Sequence, residues 1–159
     1  VRRGYGWLAA LLVFWLLARS LGGEWRPLRQ NSVLLRLVGA ALLVAGTAFT
    51  MWARAVLGTM WSGSVVAKEH HVLRTSGPYG ITRHPIYTGM LAMLLGSALL
   101  DDLGPWVVAL VVAAVVLVVK VREEERLMSE TFPAEYEQYR RRVPQLIPGA
   151  HWLTALWRR

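Results

Sequence analysis

The hydrophobic pattern of this chain shows no amphipathic stripe. Four runs, residues 7–18, 37–53, 86–100 and 103–119, carry no charged residue and are apolar on every side. A helix of that kind belongs in a large core or in lipid. Each run is shorter than the ~20 residues of a bilayer span, but flanking Gly, Tyr, Trp and Arg can sit at or snorkel to the interface and bring it near that length. Four such helices in a soluble protein need an outer layer of amphipathic ones, and the remaining sequence is too short to supply it. The last run, GPWVVALVVAAVVLVV, is valine-rich, yet it is too long for a strand and has no period-two polar face. In lipid it must be helix. The pattern therefore predicts an all-α, polytopic integral membrane bundle of about four spans. These lie near 5–19, 36–53, 85–100 and 103–120, and a cytoplasmic helical cap at 121–159 completes one domain of 1–159.

Charge fixes the expected orientation. Four spans place the amino terminus, the 54–83 loop and the carboxyl tail on one side. That side holds all of the 18 Lys and Arg residues except Arg19, Arg26, Arg29 and Arg36. By the positive-inside rule both termini are cytoplasmic, and the net charge of +8 reflects topology and contact with anionic headgroups. The basic residues are dispersed among loops rather than gathered on one soluble face, which argues against nucleic acid. Trp7, Trp52 and Trp106 lie at run ends, as an interfacial belt places them. Arg2 and Arg3 before an apolar run also suit a signal peptide, but no clean small-x-small cleavage site follows, so the first run reads as a span. With 55% hydrophobic residues and a mean hydropathy of +0.37, disorder is excluded. The absence of cysteine rules out disulfides, thiolate zinc, iron–sulfur clusters and a catalytic thiol. No metal site is predicted.

The third and fourth runs are separated only by Asp101 and Asp102, so they predict a tight antiparallel helical hairpin. Two polar segments distant in sequence then emerge together, HHVLRTSGPYGITRHPIYTG before the hairpin and KVREEERLMSETFPAEYEQY after it. Ionisable groups at the edge of a membrane bundle are costly to bury and are functional candidates by default. Gly77 and Pro78 break any preceding helix, Gly80 permits unusual dihedrals, and Pro85 suits the first residue of a helix. Arg83 and His84 then stand at a helix amino terminus whose free N–H groups favour an anionic ligand; headgroup contact by Arg83 and capping by His84 is the plain alternative. Glu123, Glu124 and Glu125 repel one another unless they meet cations, so one or two are expected to turn inward towards a ligand's hydroxyls or ammonium. Pro133 starts a short helix with Tyr136 and Tyr139 on one face, and Arg140 to Arg142 face headgroups.

At these residues the sequence resembles the isoprenylcysteine carboxyl methyltransferase family and the related phospholipid N-methyltransferases. The family pattern R-H-P-x-Y-x-G matches Arg83, His84, Pro85, Tyr87 and Gly89. H-x-L and G-P-Y match His71, Leu73, Gly77, Pro78 and Tyr79. E-E-x-x-L matches Glu124 and Glu125 with Met128 in place of leucine, or Glu123, Glu124 and Leu127 in the shifted register. Y-x-x-Y and V-P match Tyr136, Tyr139, Val143 and Pro144, and WARAVLGTMWS is similar to the segment after the second span of bacterial members. The resemblance covers roughly residues 52–148.

It implies a membrane-embedded enzyme, in a bacterial plasma membrane, that takes a methyl group from S-adenosyl-L-methionine in a cytoplasmic-side pocket built from these two segments and capped by the tail. The implied cofactor site comprises His71, Leu73, Gly77, Tyr79, His84, Pro85, Tyr87, Gly89, Glu124, Glu125, Met128 and Tyr136. Arg83, His84 or the helix N–H groups suit the ligand's carboxylate. Glu124 or Glu125 suits its ammonium and ribose hydroxyls, and Tyr79, Tyr87 or Tyr136 its sulfonium. Catalysis falls to Glu124, Arg122 and Arg83. A substrate carboxylate, with a reference pKa of about 4, needs only orientation, by Arg122 or Lys120. An amine must first lose a proton, to Glu124 or His71. The expected acceptor is a lipophilic small molecule or lipid reached laterally from the membrane. The alternatives are an NADPH-dependent membrane reductase of the sterol reductase type, against which Ile86 and Met90 depart from the reductase pattern, and a noncatalytic membrane scaffold.

Overall fold

The computed structural model describes residues 32–58, 73–101 and 103–149. The predicted span near 5–19, with Arg2, Arg3 and Trp7, lies outside the described residues, as do Lys68, His71, Asp102, Arg158 and Arg159. Among the described residues, four α-helices run in the order α1 (Val33–Leu57), α2 (Pro85–Leu100), α3 (Leu103–Thr131) and α4 (Pro133–Arg142), with a 3₁₀ turn at Gly77–Gly80 before α2. The described residues form no strand.

Local chemistry sets the helix ends. The Ser32 hydroxyl accepts from the Leu35 N–H at 3.4 Å and opens α1. Gly58, at φ +55°, closes it in the left-handed region, and the Arg54 guanidinium donates to the Gly58 carbonyl at 3.0 Å. Pro85 begins α2 as its sequence position predicts, since a helix's first residue needs no N–H. Positive φ falls on Gly77 (+62°) rather than on Gly80; the turn reverses at its first residue, where Trp52 and Val56 pack 3.6 Å from the position of an added Cβ.

Beyond the predicted span end at residue 120, α3 continues unbroken to Thr131. The sequence KVREEERLMSE has no Gly or Pro and consists mostly of strong helix formers, so the charged segment rides on the apolar helix as its extension. Among the described residues, α1 is the helix long and apolar enough to cross a bilayer by length and composition, and α2 is a shorter apolar helix.

The chain divides into two compact units. One joins residues up to Val44 with Leu91–Val116; the other joins Ala45–Met90 with residues from Leu117 onward. In the first, a Cβ added to Gly96 would stand 2.6 Å from the Gly39 carbonyl oxygen and 2.8 Å from the Leu43 nitrogen. In the second, a Cβ on Gly89 would stand 2.7 Å from the Gly46 carbonyl oxygen. Backbone therefore lies on backbone at both places, the close approach that small residues permit between apolar helices. The second unit also holds a small core of Tyr136, Tyr139 and Val143, with Leu73, Met128 and Phe132 packed against it.

Candidate active site

The helical extension at the end of α3 and the first turn of α2 meet in a buried ionic cluster within the second unit. The Arg83 guanidinium donates to Glu125 Oε1 through Nε at 2.9 Å and Nη2 at 2.7 Å. Its Nη1 donates to the carbonyls of Arg140 at 3.1 Å and Val143 at 2.7 Å, at the end of α4. The His84 ring lies between two carboxylates, with Nδ1 3.3 Å from Glu124 Oε2 and Nε2 3.3 Å from Glu125 Oε1. It also stacks on Tyr87 at a centroid distance of 5.9 Å. The Tyr87 hydroxyl donates to Glu124 Oε1. Two adjacent glutamates on α3 are thus held by Arg83 and His84, the two residues that immediately precede α2, and Glu123 is left exposed.

Burial and charge set the protonation states. Burial alone would push His84 down, but hydrogen bonds to Glu124 and Glu125 and their charges overcome it and raise its pKa above the usual imidazole value. Burial raises the Glu125 carboxyl, and His84 with Arg83 reverses that, bringing it down to about 2. Glu124 is also lowered, its burial outweighed by His84, Tyr87 and Lys120. Tyr79 is pushed up to about 12 by burial and by the Glu124 charge, against Arg54. Tyr136 and Tyr139 are raised above the usual phenol range, chiefly by burial. These phenols stay protonated and serve as donors or aromatic walls, not as bases.

The tail closes the site from the other side. The backbone N–H of Arg83 donates to the Pro144 carbonyl at 2.9 Å, and that of His84 to the Gln145 carbonyl at 3.2 Å. The Thr88 hydroxyl donates to the Leu146 carbonyl at 2.6 Å. Carbonyls of the 144–146 segment thus occupy the backbone N–H groups of Arg83 and His84, the two residues before α2. The side chains of Arg83 and His84 face carboxylates. Thr88 and this strap went unrecognised as parts of the site. Their only signal was the V-P dipeptide, whose proline carbonyl can accept while its nitrogen cannot donate.

The other predicted residues sort by position. Glu124, with its side chain 31% exposed, is the carboxylate that reaches outward. Tyr79 is buried, and its carbonyl accepts from the Tyr139 hydroxyl at 2.6 Å. The Tyr136 hydroxyl is buried on the Glu125 side, with no hydrogen-bond partner among the described residues. Leu73 and Met128 pack on the Tyr136 core, which supports the register of Glu124, Glu125 and Met128 over the shifted one. Pro85 is fully buried, and Gly89 faces the α1 backbone. Arg122 is exposed on α3 and Lys120 half-buried one turn before Glu124. Arg140 and Arg141 pair with Glu137 at 3.4 and 3.0 Å, while His71 lies outside the described residues.

The family model for phospholipid methyltransferase matches residues 34–135. The chain belongs to that family, one of membrane methyltransferases that use S-adenosylmethionine. Among its relatives, the protein-S-isoprenylcysteine O-methyltransferase of Schizosaccharomyces pombe is 35% identical over 57% of this chain and 40% of its own. Methanethiol S-methyltransferase 2 of Bradyrhizobium diazoefficiens is 30% identical over 89% of this chain and 56% of its own. The cobalt-zinc-cadmium resistance protein CzcN of Cupriavidus metallidurans is 32% identical over 59% of this chain and 44% of its own. The chain spans about half the length of the curated relatives it matches. The structure of a eukaryotic intramembrane Ras methyltransferase, isoprenylcysteine carboxyl methyltransferase, superimposes with a TM-score of 0.70 at 18% identity, over 95% of this chain and 55% of that one, which establishes a shared fold.

Proposed function

We propose that this chain is an integral membrane methyltransferase that transfers a methyl group from S-adenosylmethionine to a lipophilic acceptor, with carboxylate O-methylation favoured over amine N-methylation. The observation that carries the reading is the meeting of Arg83, His84 and Tyr87 with Glu124 and Glu125 in one cluster. A scaffold has no need of a carboxylate kept ionised and turned outward from a buried ionic knot, and the family favours methyl transfer over reduction.

The residues fit the cofactor at its cationic and hydroxyl-bearing end. Glu124 offers an ionised acceptor, Tyr79 and Tyr87 offer aromatic faces, and the unpartnered Tyr136 hydroxyl offers a donor. When bound, the cofactor supplies an activated methyl group for in-line displacement. The protein's part is alignment and water exclusion. Glu124 receives the ammonium or ribose hydroxyls, and Tyr87, donating to the same carboxylate, fixes its direction. Arg83 is a positioning residue in this reading, because its donors are committed to Glu125 and the end of α4. Arg122 and Lys120 orient an acceptor carboxylate, which is already ionised and needs no base.

The test is binding and transfer with detergent-solubilised protein. Calorimetry should detect S-adenosylmethionine and no NADPH, and Glu124→Gln should weaken cofactor affinity at least about tenfold, roughly 1.4 kcal/mol. Label from the methyl group should then enter a lipid extract, and the labelled product identifies the acceptor. Label entering only added methanethiol would replace the lipophilic acceptor with a small thiol, and NADPH binding without S-adenosylmethionine binding would refute the reading.

A further inference from the structure

The ionic cluster is balanced before any ligand arrives. Within it Arg83 and His84 face Glu124 and Glu125, two positive charges against two negative when the ring is charged, and Arg83, His84 and Glu125 are largely withdrawn from water while the Glu124 side chain is 31% exposed. Both His84 ring nitrogens point at carboxylate oxygens, an arrangement in which each is a donor only if the ring is charged. A cationic ligand that engages Glu124 takes one of the two carboxylates that hold this charge.

We infer that S-adenosylmethionine enters this site in exchange for a proton: as Glu124 turns to the ligand, the N–H bond at His84 Nδ1 breaks, its proton passes to bulk buffer, and the neutral ring keeps Nε2–H against Glu125. This rests on the proposed methyltransferase reading. Other responses are less available. Arg83 is fastened by four hydrogen bonds. Glu125 remains paired to Arg83. Lys120, the further cation acting on Glu124 from α3, is half-buried on a flexible stem and can swing towards water. Tyr87 beside the ring, and Tyr136 and Tyr139 from α4, are neutral phenols. The direction of the proton shift follows from the opposed influences on His84. Burial, the largest, favours the neutral ring, and two carboxylates together reverse it. Loss of one to a ligand leaves burial opposed by Glu125 alone.

Calorimetric titration of the detergent-solubilised chain with S-adenosylmethionine at one pH near neutrality, in two buffers of different ionisation enthalpy, reads this directly. The expected result is a buffer-dependent enthalpy corresponding to release of up to about one proton, with affinity rising by up to about tenfold per pH unit until the free protein's His84 itself deprotonates. His84→Gln should bind without proton release and with affinity flat across that range. Glu124→Gln, which removes one support of the imidazolium beforehand, should release less than the native chain, so the inference does not depend on the folding of a single variant. Binding with no buffer dependence in the native chain, or release that persists in His84→Gln, overturns the exchange and leaves the methyltransferase reading standing. Absence of cofactor binding overturns both.

Discussion

Two places in this molecule are packed with little tolerance, for opposite reasons. Around Gly96 the apolar helices meet through missing side chains: its α-carbon lies against the Gly39 carbonyl and the Leu43 nitrogen. Around Arg83 the contact consists of charge, with two cations and two carboxylates joined to the carbonyls at the end of α4. Apolar solvent offers no hydrophobic drive to bring helices together, so the first region depends on close van der Waals contact and suffers from added volume. In the second, removing one partner leaves an uncompensated buried charge, so it suffers from lost charge.

The largest effect should come from Arg83→Ala. It strands Glu125 and two α4-end carbonyls, and thermal or denaturant melting in detergent should show a loss of about 3–5 kcal/mol. Gly96→Ala should cost about 1–3 kcal/mol by overpacking, with the same melting shift at every pH, because no charge is involved. The native chain's own pH dependence sharpens the contrast. Glu125 is depressed from 4.5 to about 2, so its contribution is present above pH 4.5 and fades as pH falls towards 2. His84 is raised from 6.5, so its contribution is complete below that value and is lost as pH rises through its folded pKa. Melting temperature followed against pH should therefore be highest between these limits and decline on either side. Tyr139→Phe removes the donor to the Tyr79 carbonyl and should cost about 1 kcal/mol in the same melts. Arg141→Ala breaks only the exposed pair with Glu137 and should shift stability by about 0.5 kcal/mol or less. A larger loss from Arg141→Ala than from Arg83→Ala would invalidate the distinction between exposed and buried charge.

Much of the site was legible because its residues are chemically conspicuous. Three adjacent glutamates on an apolar helix need cations, and the reversal at Asp101 points to the segment that supplies them. Pro85 marked the start of α2, and Pro133 that of α4. What escaped was anything that depends on direction. His84 reads as an anion holder or as a helix cap, and the structure sets its ring between two carboxylates. Gly89 matches the family motif in the sequence, and only the structure sets it against Gly46. The 144–146 strap binds through backbone carbonyls, which every residue possesses, and the Thr88 hydroxyl donates to one of them, so beyond the V-P dipeptide these contacts leave no mark in the sequence.

By itself the sequence determined the all-helical, membrane-type character, the positions of the helix starts and the two motifs, since these follow from local hydropathy, proline geometry and residue chemistry. Only tertiary structure decided that Glu125 pairs with Arg83, that Glu124 is the more exposed of the two paired carboxylates, and that the N–H groups of Arg83 and His84 donate to carbonyls of the tail. Partnership among groups that could each bind several others is fixed by which backbone segments come within about 3 Å of one another, and no single stretch of chain contains that information.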